Sequence, residues 1–509
     1  MYPLSPDNHT DRRRFLQKTG LGAIALGIGF PQIVKSASSK NGGLSIESSA
    51  TKLAEAVKSG SISSVELVQD YLSRISEVNP AINAVVATCP ERALVEAKEA
   101  DAAIASGSPV GPLHGVPFTI KDSLDTEGVV STAGTLGHAT RIPDKDATVV
   151  ARLRAAGAIL IGKTNTPEFT LGGGGKGTFN LVYGQTFNPH NIAHSPSGSS
   201  GGAGAIVSAC GSAFDIGSDF GGSIRGPAHA NGICGIKPTT GRVPRTGHWP
   251  GYGGAFDAYQ QLGPLTRYVE DLATILPIIS GPDFRDAAVI PAKLGDPSGV
   301  SLSTLRVAYY FDNELSPPTP ETRKLVADAV KLLKPKVASV TEDYHRGDQV
   351  VYPLRNQITD ADGGAWLERL LAKSSTSKPS SGLMRRINGE PISTPEFTAL
   401  LEKQDAFRSK MASWFSKYDI IVCPANASPS RRLDETSSSG GGGYTRVYNV
   451  TGWPAAVVRA SEGPDGMPIG LQIVGRPFKE DNVLAVAYEI EKAFGGWKAP
   501  KLTGAEFNS

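Results

Sequence analysis

Three short stretches of this 509-residue chain carry residue types that can do chemistry together. In Gly111-Pro-Leu-His-Gly-Val-Pro-Phe-Thr-Ile-Lys121-Asp122 an apolar, extended run delivers one lysine to its end. Apolar neighbours deprive a charged amine of water, which lowers its pKa and makes a neutral amine base available. The same spacing also fits a solvated surface lysine. Next comes Ser197-Gly198-Ser199-Ser200-Gly201-Gly202, whose glycines either let the backbone approach a ligand or merely flex. Then Gly217-Ser-Asp-Phe-Gly-Gly-Ser-Ile-Arg225 places Ser223 after two glycines whose N–H groups can form an oxyanion nest.

Other constellations compete with these. Gly198-x-Ser200-x-Gly202 matches the nucleophile elbow of α/β-hydrolases and would make Ser200 the attacking group of an esterase. Such enzymes need a histidine late in the chain, and the last one here is His345, with 164 residues after it. His190-x-x-x-His194 has the spacing of a helical zinc pair, but Asn191 replaces the needed glutamate and Pro189 and Pro196 make the segment a loop. Gly172 to Thr178 resembles a phosphate loop until Gly177 follows Lys176, so the required Ser or Thr is absent. Asp215 and Asp219 have a carboxylate pair's chemistry without a cleft to support it. No metal or cofactor is therefore expected.

The elements that must position these residues read as α/β. Ser63-Ser64-Val65-Glu66 predicts a capping box, with Val65, Val68, Leu72 and Ile75 at helical spacing and an end near Asn79-Pro80. Asp146 is expected to cap a second helix through Ala156, closed by Gly157 before the apolar strand Ala158 to Ile161. Helix, glycine and short apolar strand in succession is α/β grammar. Ser374 to Ser381 and Ser437 to Gly443 look like mobile surface loops. With 40% hydrophobic and 20% charged residues the chain is an ordinary globular protein, and length alone suggests about three domains. Its 51 basic and 49 acidic residues are too balanced for a nucleic-acid surface, which favours a small neutral substrate. Cys89, Cys210, Cys234 and Cys423 form no C-x-x-C pair and make no disulfide framework.

Residues 1–37 stand apart. Arg12-Arg13-Arg14, then Phe15-Leu16-Gln17-Lys18, then an apolar stretch from Leu21 to Val34 reproduce the order of an export signal, similar to the twin-arginine type. The apolar stretch is shorter than the roughly 20 residues that span a bilayer, so the mature chain is expected to be exported, periplasmic or extracellular, without a stable span. Removal of this segment takes away five bases and two acids and moves the formal charge from +2 to −1.

Taken together the motifs resemble the amidase signature family. The matching stretches are the lysine run, Gly162-Lys-Thr-Asn-Thr-Pro-Glu-Phe169, Asn188-Pro189, the Gly-Ser-Ser-Gly-Gly loop, Gly-Gly-Ser-Ile-Arg, Gly235-Ile-Lys-Pro-Thr239, Gly263-Pro-Leu265 with Glu270-Asp271, and Pro468-Ile-Gly-Leu-Gln-Ile-Val-Gly-Arg-Pro477. The resemblance implies one large α/β domain over about residues 45–500, a twisted mixed central sheet surrounded by helices. The motif region is 111–240 and an insertion-tolerant region runs from about 305 to 418, so the estimate of three domains gives way. Carried over by position, the catalytic lysine is Lys121, the bridging serine Ser199 and the nucleophile Ser223. The N–H groups of Phe220, Gly221, Gly222 and Ser223 form the oxyanion hole, with Asp219 and Arg225 as a supporting pair. The chemistry implied is hydrolysis of a small-molecule amide with no cofactor and no nucleic-acid partner. A homodimer is allowed, and a catalytically silent scaffold protein is the non-enzymatic alternative. Three positions depart from the usual pattern: His194 where arginine is common, Ser197 where glycine is common, and Asn231 where cysteine often stands. Trp366, Leu367, Leu370, Leu371, Leu383 and Met384 supply apolar surface either for a substrate pocket or for helix packing.

Overall fold

Eleven strands form one mixed sheet, and their spatial order explains how motifs far apart in sequence meet. A computed structural model describes residues 44–172, 177–251, 253–387, 389–435 and 443–502. The signal expected over 1–37, most of the Gly172–Thr178 loop and most of the Ser437–Gly443 stretch lie outside the described residues. Across the sheet the strands run Val85–Thr88, Ile159–Thr164, Pro117–Lys121, Phe214–Asp219, Gln261–Thr266, Cys234–Lys237, Ala455–Glu462, Pro468–Gly475, Ile420–Pro424, Arg306–Tyr309 and Ser339–Glu342. The lysine strand Pro117–Lys121 lies parallel to both neighbours, with Lys121 opposite Thr164 and Thr119 opposite Asp215. All five of its residues are buried, as are all six of Phe214–Asp219, so these central strands are covered on both faces.

The main core contains Phe118, Ile120, Phe214 and Ile216 from these strands, with Ile206 and Leu272 from helices packed on the sheet. The expected capping box is seen in this layer. Ser63 and Glu66 form it, and the helix they start, Ser64–Ile82, buries Leu67, Val68, Tyr71 and Ile75. Pro80 lies inside the last turn, so the helix runs past the expected end to Ile82 before Asn83 turns into the left-handed region.

Two expectations need correction. Asp146 does not cap the second helix, which spans Thr148–Ala155 from an Ala147 cap. Asp146 Oδ1 instead accepts the Glu127 N–H at 2.8 Å, so a loop bond outcompetes the cap. Ser374–Ser381 is only half at the surface, with Ser375, Ser377, Lys378 and Ser381 exposed. Ser374, Thr376 and Ser380 are buried, Thr376 bonds Thr135 at 2.6 Å, and the Ser380 N–H donates to Glu168 Oε2 at 2.6 Å. Low sequence complexity here reflects small residues fitting between the motif region and the helices Ala365–Lys373 and Ser381–Ile387. No helix among the described residues is long and apolar enough to cross a membrane.

Candidate active site

Lys121 ends its strand with its amine fully enclosed. Its Nζ donates to Ser199 Oγ at 2.7 Å, Ser200 Oγ at 2.9 Å and Ser218 Oγ at 2.9 Å. All three partners are neutral hydroxyls, so nothing in contact repays the cost of a buried charge. Burial pushes the Lys121 pKa down to about 7, against the opposing pull of the Asp215 and Asp219 carboxylates. Burial also lifts Asp215 to about 7, although Thr119 and Thr164 hydroxyls donate to it at 2.7 and 3.0 Å. The solvated-lysine reading is excluded, and a buried amine that exchanges between its charged and neutral forms around neutral pH stands in its place.

The serine loop reaches that amine through a cis Gly198–Ser199 peptide and then enters the wholly buried helix Gly201–Ser208. Ser199 is buried with its hydroxyl on Lys121. Ser200, the elbow candidate, has no exposed surface. Its Oγ accepts from Lys121 and from the Ser218 N–H at 3.3 Å and donates to Ser218 O at 3.3 Å. A Cβ on Gly217 would lie 2.6 Å from that Oγ and 2.7 Å from Leu265 Cδ1, so glycine is required for strand and loop to touch. Ser200 is a strut between the loop and the strand.

Ser223 is half-buried, and its carbonyl accepts the Ser200 N–H at 3.2 Å, which ties the two serine loops together. Among the described residues its hydroxyl has no hydrogen-bond partner, so the Lys121–Ser199 half of the expected relay is a bond while the Ser199–Ser223 half is not. Gly222 takes φ +122° and packs on Thr445, where a Cβ would meet Oγ1 at 2.5 Å. The Gly222 N–H donates to Asp219 Oδ1 at 2.8 Å and the Ile224 N–H to Oδ2 at 3.1 Å. Of the four expected oxyanion donors, Gly222 is therefore committed to Asp219, while the Gly221 and Ser223 N–H groups have no partner among the described residues.

Asp219 and Arg225 hold this loop. Arg225 gives Nε and Nη2 to the Asp219 carboxylate, each at 3.0 Å, and both side chains are fully buried. Its remaining donors reach Thr445 O at 2.8 Å, Gln472 Oε1 at 2.9 Å and Asn449 Oδ1 at 2.7 Å. Burial acts to raise the Asp219 pKa, but the Arg225 charge and the bonds from Arg225 and Asn449 outweigh it and hold the carboxyl well below its usual range. Ser218, Thr445, Asn449 and Gln472 are the residues that sequence reasoning missed. Ser218 and Gln472 lie inside recognised motifs, but neither type nor spacing marks one as a lysine acceptor or the other as an arginine acceptor.

The departures are accommodated locally. Ser197 adopts φ +63°, the region that favours the usual glycine. Asn231 Nδ2 donates to Pro196 O at 2.9 Å and Pro227 O at 2.8 Å, bracing the serine loop. His194 faces Asp465 at 3.5 Å and His190 bonds Asn231 O at 3.1 Å, so the two histidines serve different contacts. Of the apolar supply, Leu367, Leu370 and Leu383 pack with Ala133 and Phe169, and Leu371 joins them partly buried. Met384 is exposed. Trp366 stacks on Phe256 at 4.3 Å, and Phe256 stacks on Phe220 at 5.6 Å, so this ring connects the apolar supply to the nucleophile loop.

A family model described as Amidase matches residues 66–484. The chain belongs to the amidase signature family. It is 33% identical to a component of the glutamyl-tRNA(Gln) amidotransferase of Lachnospira eligens, over 88% of this chain and 99% of that relative. It is 32% identical to indoleacetamide hydrolase of Bradyrhizobium diazoefficiens, over 88% of this chain and 86% of that one. The solved structure of a bacterial aryl acylamidase of the amidase signature family superposes with a TM-score of 0.77 at 27% identity, covering 88% of this chain and 96% of that chain. Membership carries amide hydrolysis as the family's chemistry, and one α/β unit with a large mixed sheet as its fold. The nucleophile-elbow fold, and with it the esterase on Ser200, is set aside.

Proposed function

We propose that this chain is an amidase cleaving a linear carboxylic amide to an acid and ammonia or an amine, through an acyl-enzyme on Ser223. The observation that carries this reading is the enclosed Lys121 amine, held at about pKa 7 by burial and bonded to Ser199. A neutral Lys121 Nζ takes the Ser199 proton while Ser199 takes that of Ser223, and the Ser223 oxygen adds to the amide carbonyl. The Gly221 and Ser223 N–H groups receive the oxyanion, each such donor being worth roughly 10² to 10³ in rate. When the intermediate collapses the C–N bond breaks, and the proton on Lys121 returns through Ser199 to the leaving nitrogen. Water then gives a proton to the same relay, attacks the ester carbon and releases the acid and the Ser223 hydroxyl. Asp219 and Arg225 hold the loop and do not exchange protons with substrate.

A second reading makes the chain one component of a larger amidotransferase, favoured by the 33% identity to the Lachnospira eligens protein. Covalent capture separates the readings. A fluorophosphonate is expected to label Ser223, with labelling abolished in Ser223→Ala and slowed, not relocated, in Ser199→Ala. An adduct on Ser200 would overturn the assignment of the nucleophile. An unlabelled, folded chain that releases no ammonia from a simple amide would favour a catalytically silent scaffold within such an assembly.

A further inference from the structure

Three arginines crowd one another beside Phe220 and Gly221. Arg355 is 7% exposed, donates one N–H to Phe220 O at 3.2 Å, and lies 4.1 Å over the Phe220 ring. Its Nε is buried with no acceptor. Among the described residues the Arg446 guanidinium has no hydrogen-bond acceptor at all and rests 3.9 Å over the Tyr352 ring. A Cβ on Gly221 would stand 3.5 Å from Arg355 Nη2 and 3.8 Å from Arg446 Cγ, so both side chains abut the loop that presents Ser223. Arg386, over Phe256 at 5.8 Å, completes the group and carries its one carboxylate, a 3.1 Å pair with the half-exposed Asp360. Residues 436–442, which precede Arg446, contain no acid.

Among the described residues, three cations against one bonded carboxylate leave an excess of two positive charges beside the proposed nucleophile. Burial and the neighbouring arginines depress Arg355 to about 9 against the weaker pull of Asp360, so it stays charged at neutral pH with no carboxylate bonded to it among the described residues. Buried charges are ordinarily paired, and a guanidinium fork matches a planar carboxylate with two parallel bonds. We propose that Arg355 and Arg446 form an anion subsite for the substrate, so that the amide cleaved on Ser223 bears a carboxylate. The proposal rests on the amidase reading above for its reaction but not for its binding site. The stacked Phe220, Phe256 and Trp366 rings form an apolar wall beside the same loop, which suits an anionic amide with an aryl or short alkyl body.

The test compares three anilides on the full chain. Butyranilide is neutral, succinanilate carries its carboxylate on the acyl side, and para-butyramidobenzoate carries it on the amine side. One of the charged amides is expected to exceed butyranilide by about tenfold or more in kcat/KM, the size of a charge-assisted contact. Arg446→Gln is expected to remove that advantage mainly through KM, and Arg446→Lys to restore part of it. In parallel, calorimetry is expected to show phenylbutyrate binding at least about tenfold more tightly than phenylbutanol, with the difference lost in Arg446→Gln. Butyranilide turned over as well as both charged amides, with phenylbutyrate and phenylbutanol bound equally, would overturn the subsite and leave the amidase reading standing. Selective phenylbutyrate binding without turnover of any anilide would support the subsite and count against the amidase reading.

Discussion

Arg225 and Arg355 both bury a guanidinium against the loop from Asp219 to Ser223, and they differ in what satisfies it. Arg225 spreads its bonds over a carboxylate, two side-chain amides and a backbone carbonyl, all supplied by the fold. Among the described residues Arg355 bonds one carbonyl and has an orphaned Nε, and Arg446 beside it rests on a ring with no hydrogen-bond acceptor. The first arrangement belongs to the motif region, where Lys121 is likewise enclosed by three hydroxyls. The second comes from the helix Asp348–Thr359 and the turn before Val447–Val450. A saturated network fixes geometry and leaves no valence for a ligand, which suits catalytic positioning. An unsaturated cation leaves its partner to be supplied from outside, which suits recognition.

The strongest challenge to this contrast is at Lys121. If the enclosed amine is the base, Lys121→Ala should lose about 10² to 10⁴-fold in kcat/KM, and wild-type activity should rise with pH through about 7 as the neutral amine forms. A wild-type rate and pH profile in Lys121→Ala would make the saturated network merely structural. The next test replaces the two kinds of arginine in the same way. Arg225→Leu strands the buried Asp219 carboxylate and should cost about 3–5 kcal/mol by urea unfolding. Arg446→Leu breaks no ion pair and should stay within about 1 kcal/mol of the parent. Equal losses would erase the distinction between the two regions. The smallest effect sharpens the electrostatics of the core. The Asp215 charge acts to raise the Lys121 pKa, so Asp215→Asn should move the acid limb of kcat/KM to lower pH, by less than about one unit. Movement to higher pH would contradict the sign of that coupling.

The family, the α/β class and the three residues of the proposed relay were legible in the sequence because they lie in short ordered motifs. Lys121 closes a run whose apolar character is itself the cause of its burial, and Ser223 follows the glycines its loop needs. The capping box at Ser63 was legible for the same reason, since both partners lie within one helical turn. Asp146 misled because a local cap signal cannot report a competing N–H from Glu127 in a neighbouring loop. Ser374–Ser381 misled because small polar residues look alike on a surface and in a tight seam.

What the chain determines by itself is therefore the set of reacting groups and the local conformations that present them, because those depend on contacts within a few residues. Only the tertiary structure decides which of three glycine-flanked serines is a strut. Ser200 is closed off by Ser218 from a strand that the sheet order brings alongside. It likewise decides that Asn449 and Gln472 hold Arg225, across 224 and 247 residues. And it alone shows that, among the described residues, no carboxylate bonds Arg355 or Arg446, because a missing ion pair is a property of everything that packs around a charge and no window of sequence contains it.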